Sequence, residues 1–295
     1  MDMFVLKHNG AEMKITNPGA ELRSYVTADG REWMWQSDPE VWKGCSPVLF
    51  PAIGGLKDGG ATIAGEFYAV PRHGFARGLD FEVTEQTEDS ISFVLHENEE
   101  TKKVFPFAFA LTVTHRFLPN GFETRFTVEN QSETVMPFLI GGHPGFVCPM
   151  KAGEQFEDYV LRFEKEETCG TTLCDGPGHT LTKAVPVDLG EDQRTLSLKY
   201  SEFDRLDTFI FSGLNSRSVE LVHRETGKGL RLSFDMDVLA IWTSPGKHAP
   251  YLCIEPWQGG PAYADETGRF EDKSFHAELA PGKTYSCGYT MEILD

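Results

Sequence analysis

The sequence predicts an all-β protein, a large antiparallel β-sandwich that takes up residues 1–295 as a single domain. Three observations carry this expectation. Apolar and polar residues alternate with period two in run after run, turn-forming dipeptides separate the runs, and helical periodicity is nearly absent.

In chain order, Ile91, Phe93 and Leu95 form the first clear run. Phe122, Thr124, Phe126 and Val128 follow, alternating with Glu123, Arg125, Thr127 and Glu129. Leu230, Leu232, Phe234 and Met236 repeat the pattern, and Tyr285, Cys287, Tyr289, Met291 and Ile293 close the chain with it. A strand with one buried face gives this signature, because successive side chains leave the backbone on opposite sides. Asn9-Gly10, Asp29-Gly30, Asp58-Gly59-Gly60, Thr226-Gly227 and Pro281-Gly282 are the intervening turns. Pro119-Asn120-Gly121 between two alternating runs predicts a hairpin. Helix is expected only at Asp38–Trp42 and Ser201–Arg205, each opening on a capping residue. The Gly- and Pro-rich stretch Cys174–Gly178 reads as a loop inside the domain. Many short strands without a βαβ rhythm make a sandwich. The 40% hydrophobic content and 22 Phe are enough to fill it.

The formal net charge of −18 excludes nucleic acid, whose binding needs Lys and Arg against phosphate, and disfavours an anionic membrane surface. No stretch approaches the roughly 20 apolar residues of a membrane span. Met1-Asp2-Met3-Phe4 lacks the basic and apolar regions of a signal peptide, so a cytoplasmic protein is expected. In that compartment Cys45, Cys148, Cys169, Cys174, Cys253 and Cys287 should be free thiols.

Four segments break the strand pattern and hold the unusual chemistry. They are Ser46–Leu56 with two prolines, Arg72-His73-Gly74-Phe75-Ala76-Arg77, Gly141-Gly142-His143-Pro144-Gly145-Phe146, and Cys253-Ile254-Glu255-Pro256-Trp257-Gln258-Gly259-Gly260. His73 and His143 each sit beside Gly and near Phe, the composition of a loop presenting an imidazole. The other seven histidines, His8, His96, His115, His179, His223, His248 and His276, read as structural. Glu255 follows an apolar triplet, which places it at the end of a buried strand with a raised pKa. A His and a Glu suffice for acid/base work near neutral pH. Trp257 offers a flat face of the sort that packs on a sugar ring.

Taken in order along the chain, these motifs resemble the aldose 1-epimerase (galactose mutarotase-like) family, particularly its LacX-like bacterial branch. The resemblance runs through Gly19-Ala20-Glu21-Leu22, Pro47-Val48-Leu49-Phe50-Pro51, His73-Gly74-Phe75-Ala76-Arg77, Phe105-Pro106-Phe107, Asn130, Gly142-His143-Pro144-Gly145-Phe146, Ile241-Trp242 and Glu255-Pro256-Trp257. It implies a β-sandwich with the sugar in a groove on one sheet, and a substrate that is a small aldose. It also implies His143 as general acid, Glu255 as general base, and His73 as a contact to the ring oxygen and nearby hydroxyls. Asp207 is the implied hydroxyl ligand, with Asp204 as its competitor. Arg77 either joins a phosphate site with Arg72 or supports the site from beneath. No metal or organic cofactor is implied, and the protein is expected to be a monomer or homodimer. Two other readings compete: a hexose 6-phosphate mutarotase, and a sugar-binding module without turnover. A glycosidase would usually present two carboxylates.

Overall fold

A computed structural model describes residues 2–175 and 180–295 of the chain, without the side chains of residues 174, 175 and 180. The predicted alternating runs become neighbouring strands. Ser90–His96, Phe109–Leu118, Gly121–Asn130, Thr284–Leu294 and Gly229–Phe234 lie side by side in one nine-stranded antiparallel sheet. In Gly121–Asn130 the residues Phe122, Thr124, Phe126 and Val128 are buried while their neighbours face outward. A slip of one residue would turn Glu123 and Arg125 into the core, so burial fixes the register. Each buried Phe contributes about 1.5–3 kcal/mol. The predicted hairpin is present, with Leu118 paired to Gly121 across Pro119-Asn120.

The second sheet is smaller. Its order is Thr208–Ser212, Val238–Trp242, Tyr251–Gln258, Ile140–Gly142 and Val48–Leu49, with Gly145–Val147 also paired to Tyr251–Gln258. Phe50 meets Phe109 at 5.1 Å and Phe163 meets Phe211 at 5.3 Å between ring centroids, closing the space between the sheets. This is the sandwich the alternation predicts.

Helix is scarce. The Ser201–Arg205 expectation is met by the helix Tyr200–Leu206. Asp38–Trp42 is a capped turn instead: Asp38 Oδ1 accepts from the Glu40 N–H and its carbonyl from the Trp42 N–H, and nothing extends it. Five residues are too few to repay helix nucleation without help from packing. An unpredicted short helix, Glu99–Lys102, rests on an Asn98–Thr101 capping box. Cys45, Cys148, Cys169, Cys253 and Cys287 are free thiols. Most of the predicted loop Cys174–Gly178, together with His179 and the Cys174 side chain, lies outside the described residues. No helix among the described residues is long and apolar enough to cross a membrane.

One expectation is corrected. Glu255 does not end a strand; it sits inside Tyr251–Gln258, which is buried along its whole length. Pro256 is tolerated there because its nitrogen shares an edge with that of Ile254. That edge faces the break between Ile140–Gly142 and Gly145–Val147, where Ile254 N–H reaches Pro144 O.

Candidate functional site

The strand Tyr251–Gln258 sorts its side chains by parity. Leu252 and Ile254 enter the main core, while Tyr251 and Cys253 join a second cluster with Trp35, flanked by Val41, Trp42 and Trp242. Glu255 shares that outward face and helps line a cavity of about 240 Å³. Arg72, His73, Arg77, His143, Trp42, Trp242 and Trp257 stand around the same cavity. The structure therefore brings together five of the six sequence-nominated residues.

His143 occupies the break between two short strands. Its backbone N–H donates to Pro47 O, so the proline-rich segment holds the loop in place. Its Nε2 lies 3.2 Å from Glu255 Oε2, in contact but not aligned as a hydrogen bond. His143 Nδ1, Glu255 Oε2 and Trp257 Nε1 are buried polar atoms with no hydrogen-bond partner from the protein. Leaving a buried polar group so costs about 1–3 kcal/mol, and three of them converge here.

His73 stands on the opposite wall, its ring 6.0 Å from that of His143. It has a left-handed backbone, φ 65°, followed by Gly74 at φ 68°. A Cβ on Gly74 would lie 2.0 Å from Phe50 O, so only glycine fits that turn. His73 Nδ1 accepts from the Gly54 N–H at 3.2 Å, which puts the proton of the neutral ring on Nε2. Arg77 Nη2 donates to Arg72 O at 2.9 Å and so braces this turn from below.

Burial governs the charges. It pushes the His143 pKa down, and the Arg77 and Arg72 guanidiniums push the same way. It pushes the Glu255 pKa well up, opposed by Arg72 and reinforced by Asp207. Mutual attraction alone would favour the ionised pair; desolvation outweighs it and favours neutral His143 beside protonated Glu255. Both arrangements hold the same number of protons and differ only in which group carries one of them, so moving that proton interconverts them without exchange with solvent.

The remaining nominations separate cleanly. Asp207 caps the helix Tyr200–Leu206 with φ 64° and accepts from its neighbour Thr208, which lines the cavity. Asp207 itself stands just behind that wall, near enough for its charge to act on Glu255. Asp204 is spent elsewhere, accepting from Gly246 N–H and His248 Nε2. Trp257 lines the cavity but is only 2% exposed and lies against Gly141, so little of its ring is open to a ligand. Trp42 and Trp242 flank His143 at 4.9 Å and 5.6 Å; Trp42 is stacked on both that imidazole and Tyr251, whereas Trp242 meets its ring neighbours edge-on and keeps its faces free of stacking. Neither stands out in the sequence as a site residue, although Trp42 lies in the Asp38 turn and Trp242 in the Ile241-Trp242 motif. Lys57 is turned away, donating to Glu266 O.

A buried His–Glu contact beside a cavity lined by arginines and indole rings, set in a β-sandwich, is the arrangement of an enzyme suited to acid/base chemistry on a small ligand. The aldose 1-epimerase family profile matches residues 2–292, and the chain belongs to that family of isomerases. LacX of Lactococcus lactis subsp. lactis is 34% identical over 98% of this chain and 99% of its own. A galactose mutarotase related enzyme from Lactobacillus acidophilus superposes with TM-score 0.90 at 32% identity, covering 100% of this chain and 98% of that one. A galactose mutarotase-like protein from Lactobacillus casei gives 0.91 at 29% identity, over 99% and 100%.

Proposed function

We propose that residues 1–295 act as one unit that interconverts the α and β anomers of a free aldose, with His143 and Glu255 as its acid/base pair. The 3.2 Å approach of His143 Nε2 to Glu255 Oε2 inside the cavity carries this reading. Glu255 takes the proton of the C1 hydroxyl, the C1–O5 bond breaks as the carbonyl forms, and His143 gives a proton to O5. Rotation about C1–C2 and the reverse transfers close the ring on the other face. Opening turns the ionised pair into the neutral one, the form that burial favours, so the free energy spent in forming the ionised pair is returned as the ring opens. The route uses no metal and no organic cofactor.

In this reading His73 Nε2 donates to the ring oxygen or a neighbouring hydroxyl, and Asp207, from behind Thr208, accepts from another hydroxyl. Trp257 Nε1 adds a donor, while Trp242 packs on a C–H face of the sugar. Arg77 supports the Arg72–His73 turn. A pure binding protein has no use for a buried pair sharing one proton. The exposed Arg72 guanidinium at the cavity favours a second reading, a hexose 6-phosphate substrate. Polarimetry of freshly dissolved α-glucose and α-galactose with catalytic amounts of protein tests the main reading. Rotation should reach equilibrium faster with protein than without; an unchanged rate for every aldose would refute it.

A further inference from the structure

The acid/base pair has a third neighbour that the proposed chemistry does not use. Cys253 lies two residues before Glu255 on the same face of the strand, fully buried. A nitrogen of His143, Cys253 Sγ and a carboxylate oxygen of Glu255 all lie within 4.8 Å of one another. One nitrogen, one sulfur and one oxygen are a donor set that zinc accepts. In a tetrahedral site the donors stand about 3.3–3.8 Å apart, given metal–ligand bonds of about 2.0–2.3 Å. The His143–Glu255 contact at 3.2 Å is already near that spacing, and the other two separations, at most 4.8 Å, must close by about 1 Å to reach it.

A second observation points to the same place. Glu255 Oε2, on a side chain 1% exposed, makes no hydrogen bond within the protein and faces this group. The cavity supplies an entry path to His143 and Glu255, and three protein ligands leave a fourth position open toward it.

We propose that a soft divalent cation, Zn²⁺ in the first instance, binds between His143, Cys253 and Glu255 and silences the enzyme by occupying the proton-transfer atoms. Binding displaces two protons to solvent, one from the Cys253 thiol and one from the His143–Glu255 pair, and leaves no atom of the chain oxidised or reduced. This inference uses the acid/base roles proposed above for its inhibitory consequence, whereas the metal site itself stands on geometry alone.

The two are tested separately. The intact protein is titrated with Cd²⁺ while thiolate-to-metal absorption in the ultraviolet is followed, and Zn²⁺ inhibition of anomer exchange is measured with galactose. We expect a thiolate band at one equivalent and inhibition that galactose relieves. Cys253→Ser and Cys253→Ala should lose the band and raise the Zn²⁺ needed for inhibition at least about tenfold, while metal-free turnover persists. X-ray absorption of the Zn²⁺-loaded wild type should show one sulfur with nitrogen and oxygen neighbours, a readout independent of activity and of any variant's folding. A shell of nitrogen and oxygen alone would overturn the site. So would an unchanged band and unchanged inhibition in both Cys253 variants. Metal binding with the expected sulfur but no aldose turnover would instead overturn the acid/base reading and leave the site standing.

Discussion

Trp42 lies stacked on His143, ring centroids 4.9 Å apart and planes 29° apart. Trp242 meets the same imidazole edge-on, and Tyr251 backs Trp42 from the other side at 5.6 Å. The proposed acid is thus oriented by aromatic packing as well as by its loop. Replacing Trp42 by Leu removes the stack, worth about 0.5–1.5 kcal/mol, so kcat/KM should fall roughly two- to twelve-fold. Trp42→Phe should recover most of the loss. Steady-state kinetics on both variants check this; unchanged kinetics in Trp42→Leu would show that the stack is idle.

The pH dependence follows from the two shifts. His143 is held below the ordinary imidazole value of 6.5, so the doubly protonated pair appears only at lower pH. Glu255 is held well above the ordinary carboxylate value of 4.5, so the fully deprotonated pair appears only at higher pH. The competent state, with one shared proton, fills the window between. A profile of kcat/KM should therefore show an acid limb below 6.5 and an alkaline limb well above 4.5, both belonging to the pair. An alkaline limb at the ordinary carboxylate value would contradict the burial of Glu255.

Asp207 and Asp204 sit on one short helix and should behave differently. Asp207→Asn keeps the size of the side chain and the oxygen that accepts from Thr208, so the fold should survive while KM rises or kcat falls. Asp204→Asn should leave turnover intact, because its carboxylate serves the Gly246 and His248 turn. Michaelis parameters and melting temperatures for both variants decide the matter. The reverse pattern would move the sugar contact to Asp204.

How much of this was readable in the sequence depended on which faces were covered. The nine-stranded sheet has one buried face, so Phe122 to Val128 advertised it through alternation. The strand bearing Glu255 is covered on both faces, so Tyr251–Gln258 shows no period, and Pro256 disguised it as a strand end. His143 and His73 were found because the loops presenting them need Gly and Pro. Trp42 and Trp242 were passed over because an aromatic residue near a turn or in a strand signals core as readily as site. Only the fold brings them onto the imidazole. Helices of four residues, such as Glu99–Lys102, are too short for a period to register.

Arg72 and Arg77 should separate free sugar from sugar phosphate. The net charge of −18 slows the approach of a phosphate dianion at low ionic strength, so free hexoses should be turned over better than their 6-phosphates. Arg77→Ala should lower kcat/KM for both substrates alike, because Arg77 braces the Arg72 carbonyl. Arg72→Ala should spare the free sugar. A 6-phosphate preference in the wild type that disappears in Arg72→Ala would establish the second reading.

The central claim is that His143 and Glu255 together open and close a sugar ring. Exchange NMR at equilibrium measures that directly, as magnetisation passing between the α and β anomeric protons of glucose or galactose. Wild-type protein should speed this exchange at substoichiometric amounts. His143→Asn and Glu255→Gln should each slow it by about 10²–10⁴-fold, the usual worth of a positioned proton-transfer group. The double variant should lose little more than either single one, since both act in one transfer. Exchange that persists near the wild-type rate in the double variant, with the protein folded, would contradict the account.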